Sequence, residues 1–270
     1  MPHRSTSVLR IDTHDHTVTE LCCAELLGDL RVCCPWASEV MGCNETIYTI
    51  PYDAPFVLCV DTRSSRVYSI GSLGGESSKW SGGVAAEDGK IWGGKIYCAP
   101  FNASAVLCID PLEDSVSKLA DWPSDAAGLH LPRKWIGAVL AQSGLVYCVP
   151  FNARQVLCID PVQQSLCLFG RLPDASGKWT MGLLLPDGTI FCLPAQSEQV
   201  LCMHTGDLLE ARPGDAVRGG ASGQPLDQSN APEAECEGAD VLEAEREVAE
   251  QEKKRARRAE WQLFTAQTEL

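Results

Sequence analysis

Short apolar runs, separated by turn residues, recur along residues 1–210. In the best-preserved copy, from Lys134 to Gly170, they are KWIGAVLA, LVYCVP, QVLCID and SLCLFG, divided by turns that contain Gly, Asn or Asp-Pro. Runs of β-branched and aromatic residues at intervals of about 8–12 residues are typical of short strands in an all-β domain. Four strands in roughly 40–50 residues match the strand number and length of one propeller blade.

The spacing of landmark residues defines a repeat of about 44 residues. Four tryptophans recur at separations of 44, 55 and 44 residues: Trp36, Trp80, Trp135 and Trp179. Near the N-terminus, VLRID from Val8 matches the third-strand run VLCID of the later copies, so the chain is expected to begin within a repeat. The pattern predicts about 17 strands. It therefore predicts an all-β, β-propeller-like array of four to five blades, and it leaves open whether the ring is complete.

One stretch resembles a known repeat. The run WIGAVLAQSGLVYCVPFNARQVLCID, residues 135–160, is similar to the NHL-type repeat of six-bladed-propeller-like proteins, and the similarity extends over roughly residues 1–210. The resemblance implies a propeller in which the Trp-led strand is the innermost strand of each blade.

The chain contains 14 cysteines, several of which follow the repeat. Three pairs share a ten-residue spacing across the turn between the second and third strands: Cys98 and Cys108, Cys148 and Cys158, and Cys192 and Cys202. In regular hairpins each pair would face across neighbouring strands. Reduced thiols acting as small core residues are the favoured interpretation, ahead of cross-strand disulfides. A metal site is disfavoured because no CxxC pair or His stands at ligand spacing.

The net charge of −14 narrows the partner classes. Nucleic-acid binding depends on lysine and arginine that neutralise phosphates, so neither nucleic acid nor an anionic membrane is an expected partner. No signal peptide or apolar run of about 18 residues is visible, which favours an intracellular chain. The basic run Lys253–Arg258 is a candidate nuclear-import signal, and a solvated helix face is the favoured alternative. We expect a cytoplasmic protein, with the nucleus as the alternative.

The C-terminal part has a different composition. Residues 211–238 are rich in Gly, Ala, Pro, Ser, Gln and Glu, as in a flexible linker. Residues 239–270 read as a charged helix with favourable i,i+4 pairing, such as Glu250 with Lys254. The sequence thus predicts a propeller-like domain over 1–210, a linker and a C-terminal α-helix.

Two sets of residues are candidate ligand-binding positions. A lysine precedes three of the tryptophans, and an aromatic residue follows the proline of three second-strand ends: Lys79, Lys134 and Lys178, and Tyr52, Phe101 and Phe151. If the Trp strands are innermost, the lysines would ring one mouth of an axial channel and attract anions or acidic peptides. Lysine stems packed over the tryptophans are the favoured alternative. Exposed aromatic rings would form a partner surface, and tucked-in rings are the equal alternative. The four tryptophans are expected to pack blade against blade.

No catalytic residues, metal ligands or cofactor motif emerge from the sequence. The favoured function is a non-enzymatic scaffold that binds protein partners, with self-association through open strand edges. The main alternative is a degenerate propeller hydrolase or lactonase-type enzyme with an axial metal. A third is a lightly constrained repeat copy with no dedicated ligand.

Overall fold

The computed structural model describes residues 7–27, 32, 34–87, 89, 94–123, 126 and 128–205. The expected linker over 211–238 and helix over 239–270, with the basic run Lys253–Arg258, lie outside the described residues. The described elements are β1 (Ser7–Ile11), β2 (Val18–Cys22), α1 (Ala24–Leu27), β3 (Trp36–Met41), β4 (Thr46–Pro51), β5 (Val57–Asp61), β6 (Val67–Ile70), β7 (Trp80–Glu87), β8 (Gly94–Pro100), β9 (Val106–Asp110), β10 (Ser115–Leu119), β11 (Trp135–Leu140), β12 (Val146–Pro150), β13 (Val156–Asp160), β14 (Ser165–Phe169), β15 (Trp179–Leu184), β16 (Thr189–Pro194) and β17 (Leu201–His204).

These strands form antiparallel sheets that follow the repeat. The strands β1 and β2 form a hairpin, β3–β6, β7–β10 and β11–β14 form four-stranded sheets, and β15–β17 form a three-stranded sheet. We name the last four sheets by the tryptophan that begins each: the Trp36, Trp80, Trp135 and Trp179 sheets. Their first strands contact one another in chain order, β3 with β7, β7 with β11 and β11 with β15. The predicted all-β, propeller-like architecture is confirmed.

The third strands show why the apolar runs are continuous rather than alternating. In β13 every residue from Val156 to Ile159 is buried. Side chains on a strand point alternately to the two faces of its sheet. Both faces of the sheet are therefore covered, and a strand covered on both faces needs apolar residues at every position.

The turns after the third strands are fixed by aspartate side chains. The Oδ1 atom of Asp160 accepts hydrogen bonds from the backbone N–H groups of Val162 and Gln163, both at 2.9 Å. Asp110 accepts from the corresponding amides of the Trp80 sheet. An Asp side chain that bonds to backbone two residues further on fixes a tight turn.

The tryptophans that begin the sheets lie between sheets. Trp80 packs in one cluster with Tyr48 of the preceding sheet, and Trp135 packs with Tyr97 of the sheet before it. The indole N–H of Trp135 donates to the Gln155 carbonyl at 2.9 Å. Trp80 and Trp179 bond to equivalent carbonyls, whereas the buried indole N–H of Trp36 has no acceptor among the described residues. These hydrogen bonds lie within one sheet, and the packing of the indole rings is what joins a sheet to its neighbour.

The prediction that the three cysteine pairs face each other across neighbouring strands is wrong. In the Trp80 sheet Tyr97 lies opposite Cys108, and Cys98 lies opposite Leu107. The Trp135 and Trp179 sheets have the same offset. Because neighbouring side chains on a strand point to opposite faces, a register shift of one residue places the two cysteines on different faces.

The cysteines pack instead between successive sheets. Cys98 lies in one cluster with Cys59 of the preceding sheet, and Cys108 lies in another with Cys148 of the following sheet. These four carry free thiols and are buried. They fill the sheet interfaces as small apolar side chains, as reduced cysteines commonly do.

Each Trp-led strand has an irregularity just after its tryptophan. The pairing shifts between Trp80 and Gly83 in β7, and between Ile136 and Ala138 in β11. Gly82 and Gly137, each two residues after a tryptophan, have φ values of +81° and +70°. A Cβ atom on Gly82 would lie 2.5 Å from the Cα atom of Gly137. The two first strands therefore approach closely where both carry glycine.

Candidate functional site

A repeated capping interaction fixes where one sheet meets the next. The residue before each lysine has a positive φ angle, and its backbone N–H donates to an Asp or Asn side chain in the turn between the second and third strands of the preceding sheet. The donor and acceptor pairs are Ser78 with Asp53 at 2.8 Å, Arg133 with Asn102 at 2.7 Å, and Gly177 with Asn152 at 2.8 Å. The turn of one sheet is thereby fastened to the start of the next.

The six predicted ligand-binding residues form one continuous row. Backbone hydrogen bonds join them in the order Tyr52, Lys79, Phe101, Lys134, Phe151 and Lys178, with N···O distances of 2.8–2.9 Å. We call this row the lysine–aromatic belt. The sequence indicated two separate features, a lysine ring and a set of aromatic turns, and the structure merges them.

The aromatic rings of the belt pack against each other. The ring centroid of Phe101 lies 5.8 Å from those of both Tyr52 and Phe151. Phe101 is buried, whereas Tyr52 and Phe151 are half-buried. The three rings form a continuous strip that is accessible mainly through its outer two members.

The lysines of the belt are enclosed rather than exposed. Lys79, Lys134 and Lys178 are only 3%, 1% and 2% exposed. Their Nζ atoms donate to backbone carbonyls, those of Glu76 at 2.7 Å, Phe101 at 3.4 Å and Ala175 at 2.9 Å respectively. Ligand binding by these lysines stays a prediction, and any ligand would have to reach them through the loops that cover them.

Lys134 has the least favourable surroundings of the three. Burial lowers the pKa of Lys134 to about 8. Burial also lowers the pKa values of Lys79 and Lys178, but Glu76 and Asp174 oppose the shift there. The Lys134 ammonium therefore carries a desolvation penalty that is offset only by a long hydrogen bond.

Replacing Lys134 by methionine is expected to raise the free energy of unfolding at pH 7, by up to about 3 kcal/mol. The folded-state pKa lies below the unfolded value, so the penalty on the wild type is complete below pH 8 and disappears as pH rises from about 8 to about 10.5. The advantage of the variant should shrink over that window. Urea unfolding of both chains at pH 7, 8, 9 and 10 measures it.

Lys178→Met is the matched control for this prediction. Lys178 stands at the same position of the next sheet, but it has a 2.9 Å hydrogen bond and a nearby carboxylate. Its replacement should raise stability less, or lower it. An advantage of Lys134→Met that stays constant from pH 7 to pH 10 would contradict a buried, penalised ammonium.

One recess opens beside the belt, at the end of the Trp80 sheet. It has a volume of about 240 Å³ and is lined by Leu73, Glu76, Ser77, Lys79, Trp80, Asn102, Ala103, Ser104, Ala105 and Lys118. The Nζ atom of Lys118 lies 5.8 Å from the centroid of the Trp80 ring. Lys118 also contributes to lowering the pKa of Lys79. Two lysines and one glutamate thus line the space, which we call the Trp80 recess.

The Trp80 and Trp135 sheets differ at this position. Lys118 lies opposite Leu107, and the corresponding residue of the Trp135 sheet is Leu168, opposite Leu157. The ring of Trp135 is covered by Trp122, stacked at 5.8 Å with an interplanar angle of 11°. Sequence reasoning missed Lys118 because the lysine does not recur at this position. A comparison of fourth strands at equal register would have found it.

Metal-ligand groups and membrane-spanning helices are considered for the described residues alone. In that part of the chain no three His, Cys, Asp or Glu side chains are grouped so that they could hold a metal ion. None of its helices has the length and apolar character needed to cross a membrane.

Comparisons with known proteins agree with the fold. No family model matches the chain, and no curated protein is similar to it in sequence. Among solved structures the chain is similar to a streptogramin B lyase, with a TM-score of 0.56 and 11% identity over 75% of this chain. It is also similar to a virginiamycin B lyase from Staphylococcus aureus, with a TM-score of 0.52 and 10% identity over 74% of this chain.

These similarities define the class of fold as propeller-like, similar to that of six-bladed β-propellers. The chain spans only 60% and 64% of the length of the two lyases. At 10–11% identity the similarity concerns the arrangement of sheets and not the chemistry of a site.

Proposed function

We propose that this propeller-like protein, whose repeat resembles the NHL type, is a non-enzymatic scaffold that binds an acidic segment of a protein partner at the Trp80 recess. The observation that carries the proposal is the exposed Lys118 beside an open space, with the enclosed Lys79 in the lining behind it. On a chain with a net charge of −14, these two neighbouring positive charges form a local site for a carboxylate, which Lys118 would contact directly.

The size of the recess supports a peptide side chain as its occupant. Small-molecule sites usually have volumes of about 300–1,000 Å³, whereas this recess has about 240 Å³. One Asp or Glu side chain, or a terminal carboxylate, fits such a space better than a cofactor-sized ligand.

The lining of the recess supports a selective contact. Ser77, Ser104 and Asn102 supply hydroxyl and amide donors, and the neighbouring Trp80 ring supplies an apolar wall. Glu76 lies on the same border and repels a second negative charge. The recess therefore favours one carboxylate flanked by apolar or neutral residues over a long acidic run.

Lys118→Leu tests the proposal because it gives the Trp80 sheet the residue that the Trp135 sheet has at this register position. Peptides selected by phage display on the full wild-type chain should contain Asp or Glu next to an apolar residue. Lys118→Leu is expected to weaken the binding of such peptides about ten- to a hundredfold, since one charge-assisted contact contributes about 1.5–3 kcal/mol. Fluorescence anisotropy with the labelled peptides measures the dissociation constants.

Arg171→Leu is the matched control, since it removes one exposed positive charge that does not border the recess. It should leave the dissociation constants unchanged. Selected peptides without carboxylates, or equal loss of affinity in both variants, would contradict the proposed site. Stoichiometric metal in the purified full chain would instead favour the hydrolase or lactonase alternative.

A further inference from the structure

Two cysteines oppose each other on neighbouring strands of the Trp135 sheet. The register places Cys158 of β13 directly opposite Cys167 of β14. No other register position in the described strands pairs two cysteines. In the Trp80 sheet the same position pairs Cys108 with Ser117, and in the Trp36 sheet it pairs Cys59 with Tyr68.

The local geometry lets the two sulfur atoms approach. Opposite residues of antiparallel strands have Cβ atoms about 4.5–5.5 Å apart, and a disulfide needs about 3.8 Å. The strand β14 is the outermost strand of its sheet, so within the sheet it pairs only with β13. A shift of about 1 Å in this edge strand would close the gap.

The two thiols differ in access to solvent. Cys167 is exposed, whereas Cys158 is 6% exposed. Burial, and then the neighbouring Cys167, raise the pKa of Cys158 to about 12. An oxidant in solution therefore meets Cys167 first, and Cys158 is placed to react second.

We propose that Cys158 and Cys167 form a peroxide-sensitive dithiol site that closes to a disulfide. The Cys167 thiolate attacks hydrogen peroxide, the O–O bond breaks, and a sulfenic acid and hydroxide result; the hydroxide becomes water with the proton that the Cys167 thiol released on ionising. The Cys158 sulfur then attacks the Cys167 sulfur, the S–O bond breaks, and the hydroxyl leaves as water with the proton of Cys158. Two thiols are oxidised by two electrons and one peroxide is reduced to two waters.

The disulfide would fasten the edge strand β14 to β13. It would be reversible, because exposed cross-strand disulfides belong to the labile class that cellular dithiols reduce. The site lies in the Trp135 sheet and does not border the Trp80 recess. It is therefore independent of the proposed binding function, and the two proposals stand or fall separately.

Mass spectrometry of the full chain tests the proposal. The reduced protein is treated with hydrogen peroxide, denatured in N-ethylmaleimide and digested with trypsin, which leaves both cysteines in the peptide Gln155–Arg171. This peptide should lose two hydrogens and carry no maleimide, and cleavage before Asp160 should leave two fragments joined by a disulfide. Dithiothreitol before alkylation should restore two maleimide groups.

Cys167→Ser is the control variant, since it reproduces the Cys108–Ser117 arrangement of the Trp80 sheet. In that variant Cys158 should stay reduced and take up maleimide, as Cys108 should in every sample. The linked Cys158–Cys167 product should exceed any other disulfide of Cys158 at least tenfold. Oxidation of Cys167 to sulfinic or sulfonic acid with Cys158 still reduced, or linkage of Cys158 to other cysteines at equal yield, would overturn the proposal.

Discussion

Replacing Gly82 by alanine is expected to lower the free energy of unfolding by about 2–5 kcal/mol. The φ angle of +81° costs a non-glycine residue about 1–2 kcal/mol. The added Cβ would also lie 2.5 Å from the Cα and 2.9 Å from the N atom of Gly137, both backbone atoms that cannot rotate away. The first strands of two sheets would have to separate, and such overpacking costs a further 1–3 kcal/mol or so. Guanidinium unfolding followed by tryptophan fluorescence measures the loss.

Gly144→Ala separates backbone strain from the contact between sheets. Gly144 has almost the same φ angle, +84°, but no atom lies within 4 Å of its added Cβ. This variant should lose only the conformational part, about 1–2 kcal/mol. Equal losses in the two variants would show that the close approach of Gly82 and Gly137 does not limit the packing of these sheets.

The sequence predicts the strands well because the same strand pattern recurs in each copy of the repeat. The copies of VLCID, the prolines and the tryptophans all mark strands that the structure contains, and the Asp-Pro dipeptides lie in turns between strands. The register is harder to predict. Neighbouring residues such as Val106 and Leu107 point to opposite faces of the sheet, and both are buried. The sequence therefore has no alternation of polar and apolar residues that would show which way each side chain points. For this reason Cys98 and Cys108 could be placed on adjacent strands but not on the correct faces.

The candidate site depends on contacts between repeats, which a repeat pattern does not contain. The pattern identified Lys79 and Tyr52 as recurring positions, but their hydrogen bond joins two different sheets. The burial of the lysines follows from that junction and could not be read from the chain order. Lys118 illustrates the opposite difficulty. It departs from the repeat, and a departure gives no periodic signal even where it creates the recess.

Replacing Trp135 by alanine is expected to lower the free energy of unfolding by about 3–5 kcal/mol. The side chain is 2% exposed, stacks on Trp122 and packs with Tyr97 of the preceding sheet. Its removal leaves a cavity at the junction of two sheets. Because the free energy of unfolding of an ordinary domain is about 5–15 kcal/mol, this one substitution should remove a large part of the stability. Urea unfolding monitored by circular dichroism, which does not depend on the deleted indole, measures it.

Phenylalanine variants of Trp135 and Trp36 separate the contribution of packing to the free energy of unfolding from the contribution of the indole hydrogen bond. The indole N–H of Trp135 donates to the Gln155 carbonyl at 2.9 Å, whereas the buried N–H of Trp36 has no acceptor in the part of the chain that the structure describes. Both replacements remove similar apolar volume, but only Trp135→Phe breaks a hydrogen bond, and a typical bond contributes about 0.5–1.5 kcal/mol. Trp135→Phe should therefore lose about 1 kcal/mol more than Trp36→Phe. If Trp36→Phe lost as much, the indole hydrogen bonds would contribute nothing to stability, and packing alone would account for the tryptophan that begins each of these four sheets.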